Sequence, residues 1–523
     1  MNIKRLSIST LMSAAAVYAI ACTSLIAAPG ATTTGGAMIT YAADSHTLYG
    51  ALYHQDAADH AAGAMRSVDD WDSGEHHGMI PQPAHTYATV GNMNEHGLAI
   101  GESTFYCRPE VEGSGTVDYG SLIYITLQRA RTAREAVKVM TDLVAEHGYA
   151  SGGESFSIAD PSEAWIMEMV GKGKDDPGAL WVARRVPDGY ICGHANHSRI
   201  HRFPLNDPET LYSPDVISYA REKGWYNAAD EDFDFSRTYA VTDAGALRGC
   251  DARVWAYFNR YGEPGAMDAY IPWIMEGRGE PMPLWVKPAA PLSANDMKAM
   301  MRDHFEGTHL DMTKDIGAGP FEVPYRWRPM EYTVDGNTYT HERAIATQQT
   351  GFSFVADLDK TRHDAMKGIL WFGVDDANTC VYVPVFCSNN RVPVALSPDT
   401  ADLYTLSWDS MFWVNNYVAN QAYNRYSQMI GDIRDVQSAL EDSADALVAS
   451  MTEQVTGKPY ADAQALLTDA TDTFTTDATA RYQQLGDYLF VKYLDGNIKK
   501  EKDGAFERNA AGVPVQPVFG GYN

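Results

Sequence analysis

Between residues 87 and 192 the chain alternates strand pairs and helices in an order that leaves few folds open. Segment 87–105 has strand character around the turn Asn94-Glu95-His96-Gly97, and Gly101-Glu102-Ser103-Thr104 ends its second strand. Segment 120–149 is helical and breaks in two at Thr132-Ala133-Arg134-Glu135, the pattern of a capping box. Its second piece places Ala136, Val139, Met140 and Leu143 on one face and stops at Gly148. Strands follow at 155–159, 164–170, 181–186 and 190–192, with turns at Asp160-Pro161 and Pro187-Asp188-Gly189. Strand pairs, then helices, then strand pairs predict an α+β layered sandwich built on antiparallel sheet. A second strand-rich block, 342–393, has its best strands at 369–373 and 379–386. From 407 to 451 and from 461 to 494 the pattern is helical, with Gly431 expected to kink the first run. These limits divide the chain into a leader at 1–21, a main domain at 22–400 and a helical C-terminal region at 401–523 packed on it.

The leader carries Lys4 and Arg5, then a run of apolar and small residues ending in Ala19-Ile20-Ala21, as a secretory signal peptide does. Cleavage after Ala21 makes Cys22 the first mature residue, and the protein is then exported, to a periplasm or beyond. An N-terminal cysteine carries its own α-amine beside its thiol. Reference pKa values of about 7.7–8.0 and about 8.5 let the two exchange a proton near neutral pH, so one residue supplies nucleophile and base. Ala-x-Ala-Cys also matches a lipoprotein site, in which Cys22 is acylated and only an anchor. Segments 22–26 and 38–43 form a hairpin around Thr34-Gly35-Gly36 that ends at Asp44. An acid delivered beside a strand-borne N-terminus can orient the amine or thiol. Asn196, at a strand end, is a candidate oxyanion donor.

No apolar run after the leader reaches the ~18–20 residues that span a bilayer, so stable membrane insertion is not expected. The formal net charge of −27 argues against nucleic acid and anionic membrane as partners. With Cys22 set aside, Cys107, Cys192, Cys250, Cys380 and Cys387 show no metal-type spacing, and no disulfide is expected although Cys380 and Cys387 are near in sequence. Segment 56–83 reads as a long surface loop with His76-His77 at its tip. His194, His197 and His201 would share one face of a helix, but a strand end after Gly193 is no helix, and no metal site is expected there or at 76–77.

Several ordered motifs resemble the cysteine-type N-terminal-nucleophile dipeptidase family, secreted bacterial enzymes related to secernins. They are Cys22-Thr23-Ser24, Asn92 to Gly97, Gly101 to Thr104, Gln128 to Ala136, Gly153-Glu154-Ser155, Trp165 to Lys172, Arg185 to Gly189, and His194-Ala195-Asn196 with Arg199-Ile200. The resemblance implies an αββα four-layer N-terminal-nucleophile hydrolase fold, cleavage of dipeptides and no cofactor. It places the nucleophile at Cys22, the steadying acid at Asp44, the oxyanion amide at Asn196 and a second oxyanion contact at the backbone N–H of Thr104. It also implies recognition of a small peptide substrate, with Glu102 and Glu154 as candidates for its amine and Arg199 for its carboxylate. The family's arginine just upstream of the acid falls on Tyr41. Rival readings are an N-acyl amino acid or bile-salt amidohydrolase of the same superfamily, or a lipid-anchored binding protein. Assembly into a homo-oligomer is left open.

Overall fold

The computed structural model describes residues 22–516 and 518–519, so the leader at 1–21 lies outside the described residues. Its long strands are β1 (Ser24–Ala27), β2 (Ala37–Asp44), β3 (Ala99–Phe105), β4 (Gly153–Ala159) and β5 (Ala164–Gly171). β6 (Ala179–Arg185), β7 (Ile191–His194), β8 (Thr350–Leu358), β9 (Gly368–Val374) and β10 (Val383–Phe386) follow. They form two antiparallel sheets. A seven-stranded sheet runs from Trp285–Val286 through β7, β1, β2, β8 and β9 to β10. An eight-stranded sheet runs from Thr210–Tyr212 through β6, β5, β4 and β3 to three two-residue strands.

The period-two alternation of strand side chains sorts the apolar residues into three layers. On β5, Trp165, Met167 and Met169 pack with Leu122 of α1 (Tyr119–Leu127) and Met140 and Val144 of α2 (Ala133–His147). Ile166 and Val170, one residue out of phase, join Ile26, Ile39 and Tyr41 from the other sheet. Met38 and Ala42 of β2 point away again, to Trp255 and Tyr257 of α3 (Asp251–Tyr261) and Met297 and Met300 of α4 (Ala294–Met301). Both faces of β2, β4 and β5 are therefore covered and every residue in them is buried, which is why β2 and β5 read as near-continuous apolar runs, while β4 buries Glu154, Ser155 and Ser157 as well. Gly101 marks a close approach of the sheets: a Cβ there would meet Tyr41 Cβ at 3.1 Å and Ser24 Oγ at 3.3 Å.

Some local expectations are revised. Thr132 caps α2 by accepting from Glu135 N–H, but the Glu135 carboxylate turns to Arg131 N–H, so the capping box is only half made. The first C-terminal run is two helices, α5 (Met411–Ala422) and α6 (Tyr426–Val455). The break falls at Arg425, whose φ of −143° and ψ of 46° leave the helical region, while Gly431 lies within the unbroken α6. α7 (Tyr460–Lys492) packs on α5, α6 and β10. Segment 56–83, expected to be a loop, contains the hairpin Met65–Asp69/His76–Pro81. Glu331–Val334 and Asn337–Thr340 form a second hairpin that the sequence pattern did not reveal.

Candidate active site

Cys22 precedes β1 and is held at the sheet centre by the bridge between Thr23 and Ala42. Its side chain lies among Tyr41, Ala43 and Asp44 of β2, at the base of a cleft of about 180 Å³. That is smaller than the ~300–1,000 Å³ of pockets for drug-sized ligands, a volume suited to a small substrate. Burial pushes the thiol well above its ordinary pKa, and the charges of Glu102 and Asp44 add to the rise. The Asp44 backbone N–H and the Tyr41 hydroxyl, 3.8 Å from Sγ, act in the opposite direction. A thiol pushed above its ordinary range attacks only once a base has taken its proton.

Asp44 ends β2 fully buried. Its carboxylate accepts from Arg343 Nη2 at 2.5 Å and Thr350 Oγ1 at 2.5 Å. Burial raises its pKa; Arg343, Thr350 and Arg253 limit the rise. The side chain is thus committed to Arg343 and Thr350, and its backbone N–H is what reaches the thiol. Asn196 has a left-handed φ of 56° at the turn after β7, a conformation asparagine tolerates better than most residues. This turns its amide to donate from Nδ2 to the Thr104 carbonyl at 2.7 Å.

One guanidinium joins the two halves of the site. Arg253 of α3 donates from Nη1 to the Cys22 carbonyl at 2.7 Å and Thr23 Oγ1 at 2.8 Å. From Nη2 it donates to the Ala195 carbonyl at 3.2 Å and Asn196 Oδ1 at 2.9 Å. Burial and the neighbouring Arg343 lower its pKa to about 10, which leaves it charged at neutral pH. The two arginines of the site, Arg253 on the Cys22 carbonyl and Arg343 on Asp44, come from outside β2, and sequence reasoning missed them. One trace was available: Arg253 sits among Ala252, Val254, Trp255 and Ala256, an apolar helix with no reason to contain an arginine unless it has buried acceptors.

Behind Tyr41 lies a carboxyl pair. The Tyr41 hydroxyl donates to Glu102 Oε1, and the Glu102 and Glu154 carboxyls are hydrogen-bonded to each other. Burial, then the Glu102 charge, push the Glu154 pKa well up. Neither carboxyl lines the cleft. Of the predicted residues, Cys22 and Asp44 line the cleft; Glu102 and Glu154 lie behind Tyr41, and Asn196, with Thr104 bonded to it, is linked to Cys22 through Arg253 without lining the cleft. Arg199 goes elsewhere: its Nη2 donates to the Pro283 carbonyl at 2.6 Å, and the guanidinium lies over Phe258.

The three spaced histidines have separate partners. His194 lies between Ser103 Oγ and Ser157 Oγ, and burial lowers its pKa to about 3. His197 pairs with Asp251 and His201 with Asp234. Among the described residues one group, Asp70, His77 and Asp118, brings ligand-type atoms within 4.8 Å of one another. Asp70 already accepts from Ser73 N–H and Oγ–H, and Asp118 caps α1 at Ser121. All six cysteines are free thiols. No helix among the described residues is long and apolar enough to cross a membrane.

A buried thiol, an oriented acid and a side-chain amide are the groups that acyl-transfer chemistry at a carbonyl uses. A family model described as peptidase family C69 matches residues 21–439. The chain belongs to peptidase family C69. It is 25% identical over 353 residues to a probable dipeptidase of Latilactobacillus sakei, a match covering 66% of each chain. A probable dipeptidase of Salmonella dublin is 26% identical over 254 residues, 47% of this chain and 54% of its own. A dipeptidase of Bifidobacterium longum is 24% identical over 372 residues, 66% of this chain and 61% of its own. The chain thus spans between about half and two thirds of the length of these curated relatives.

Proposed function

We propose that this chain is an exported cysteine-type dipeptidase with the four-layer N-terminal-nucleophile hydrolase fold, its main domain at 22–400 and its helical region at 401–523. The observation that carries the reading is the position of Cys22: the residue that follows a signal-type leader lies at the base of a small cleft, beside Asp44. After removal of residues 1–21, the Cys22 α-amine takes the thiol proton as sulfur attacks the peptide carbonyl carbon. The tetrahedral oxyanion is held by Asn196 Nδ2, released from the Thr104 carbonyl, and by the Thr104 backbone N–H. The C–N bond then breaks, the α-ammonium returns its proton to the leaving amine, and a thioester remains on Cys22. Water, deprotonated by the same amine, releases the acid and restores the thiol. Arg253 fixes the Cys22 carbonyl and the Asn196 amide in one frame, and Arg343 keeps Asp44 in place.

The test is a comparison of substrates on the purified mature protein. A free dipeptide is expected to be hydrolysed with a kcat/KM at least about tenfold above that of its N-acetyl form, the discrimination a buried contact to a charged group supplies. Preference for the N-acyl form would favour an amidohydrolase of the same superfamily, and hydrolysis of neither would remove the enzymatic reading.

A further inference from the structure

The wall of the cleft opposite β2 is built from the 70–75 turn and the start of α1. Gly120 leaves room for the Trp71 indole, which a Cβ would meet at 2.5 Å. Trp71 N–H donates to Asp118 Oδ1 at 3.3 Å. The next residue, Asp72, is thereby delivered to the cleft, where the Tyr119 hydroxyl donates to its Oδ1 at 3.1 Å. Two carboxylates line this cleft, Asp44 and Asp72. Asp44 is held by Arg343, whereas among the described residues no Lys, Arg or His is ion-paired with Asp72. No Lys or Arg is among the described residues that line the cleft, while the rings of Tyr53, Trp71 and Tyr119 flank it. An open carboxylate among aromatic faces is complementary to an alkylammonium, through charge and through cation–π attraction. Asp70, Asp118 and the Glu102–Glu154 pair make the surroundings more negative still.

We propose that Asp72 is the specificity-determining anchor for the substrate's free α-ammonium, holding it across the cleft from Cys22. The proposal rests on the reading of this cleft as the substrate site. It moves amine recognition from Glu102 and Glu154, which lie below the floor, to a carboxylate on the wall. An N-acylated substrate would lose the ion pair and leave Asp72 facing a neutral amide.

The test uses protection of Cys22, which needs no turnover. The mature protein is alkylated with iodoacetamide in the presence of leucinamide or of 4-methylpentanamide, the same molecule without its amine, and modification is read at Cys22 by peptide mass. On the unsubstituted protein leucinamide is expected to protect at a concentration about tenfold or more below that of its desamino analogue. Asp72→Asn should bring the two concentrations together, and Asp72→Glu should keep much of the difference. Equal protection by both compounds on the unsubstituted protein, or an undiminished difference in Asp72→Asn, would overturn the proposal. Dipeptide hydrolysis measured in parallel reports on the catalytic reading alone: a retained amine preference without hydrolysis supports the anchor and removes the dipeptidase.

Discussion

Replacing Cys22 with alanine is expected to lower kcat/KM for a dipeptide on the order of 10⁴-fold or more, because nucleophile, leaving-group bond and thioester all depend on its sulfur. The fold should survive the change. The side chain is small, and its anchoring bonds run through the Cys22 carbonyl and the Thr23 backbone, neither of which alanine alters. Unfolding by urea should therefore shift by no more than about 1 kcal/mol. The remaining thiols offer no substitute, since none of them lines the cleft and Cys192, Cys380 and Cys387 are buried. Activity of Cys22→Ala near that of the parent would end the account of the site.

The second large effect is expected at Arg253. Methionine there fills much of the same volume but leaves the Cys22 carbonyl, Thr23 Oγ1, the Ala195 carbonyl and Asn196 Oδ1 without this donor. A buried acceptor left unsatisfied costs about 1–3 kcal/mol. These acceptors and the Gly249 carbonyl, which Nε reaches at 2.9 Å, share one guanidinium and relax together, so a loss of about 3–5 kcal/mol is expected in urea unfolding. Activity should fall further than stability alone explains, by about 10²-fold in kcat under conditions where the variant is folded, because a shift of about 1 Å in Cys22 or Asn196 is enough to misalign attack. Arg253→Lys tests the geometry: one ammonium cannot serve acceptors on both sides of a planar fork. It should recover part of the stability and little of the rate. Full activity in either variant would show that Arg253 does not set the relative placement of Cys22 and Asn196.

Much of the architecture was visible in the sequence where the forces are local. The hairpin ending at Asp44, the capped start of α2 and the strands from 153 to 194 follow from alternation, capping and turn residues within short windows. The candidate residues were picked out for the same reason: a signal-type pattern precedes Cys22, and Asp44 and Asn196 fall at strand ends. Arg253 and Arg343 were not, because they reach Cys22 and Asp44 across 231 and 299 residues; the apolar flanks of Arg253 hint at buried acceptors but do not say which. Asp72 was hidden in a polar segment read as a surface loop; its meaning comes from the docking of Trp71 over Gly120, a contact between distant segments. Arg199 failed for the opposite reason. An arginine beside a candidate catalytic asparagine suggests a substrate contact, but the chain turns there and sends the guanidinium to Pro283.

The central claim is that Cys22 works with its own free amine, and the intact mass of the protein recovered from a secreting bacterial host tests it most directly. The expected mass is that of a chain beginning at unmodified Cys22. A lipid-sized increment on Cys22, or a chain beginning at any other residue, would leave the thiol without its base and contradict the mechanism.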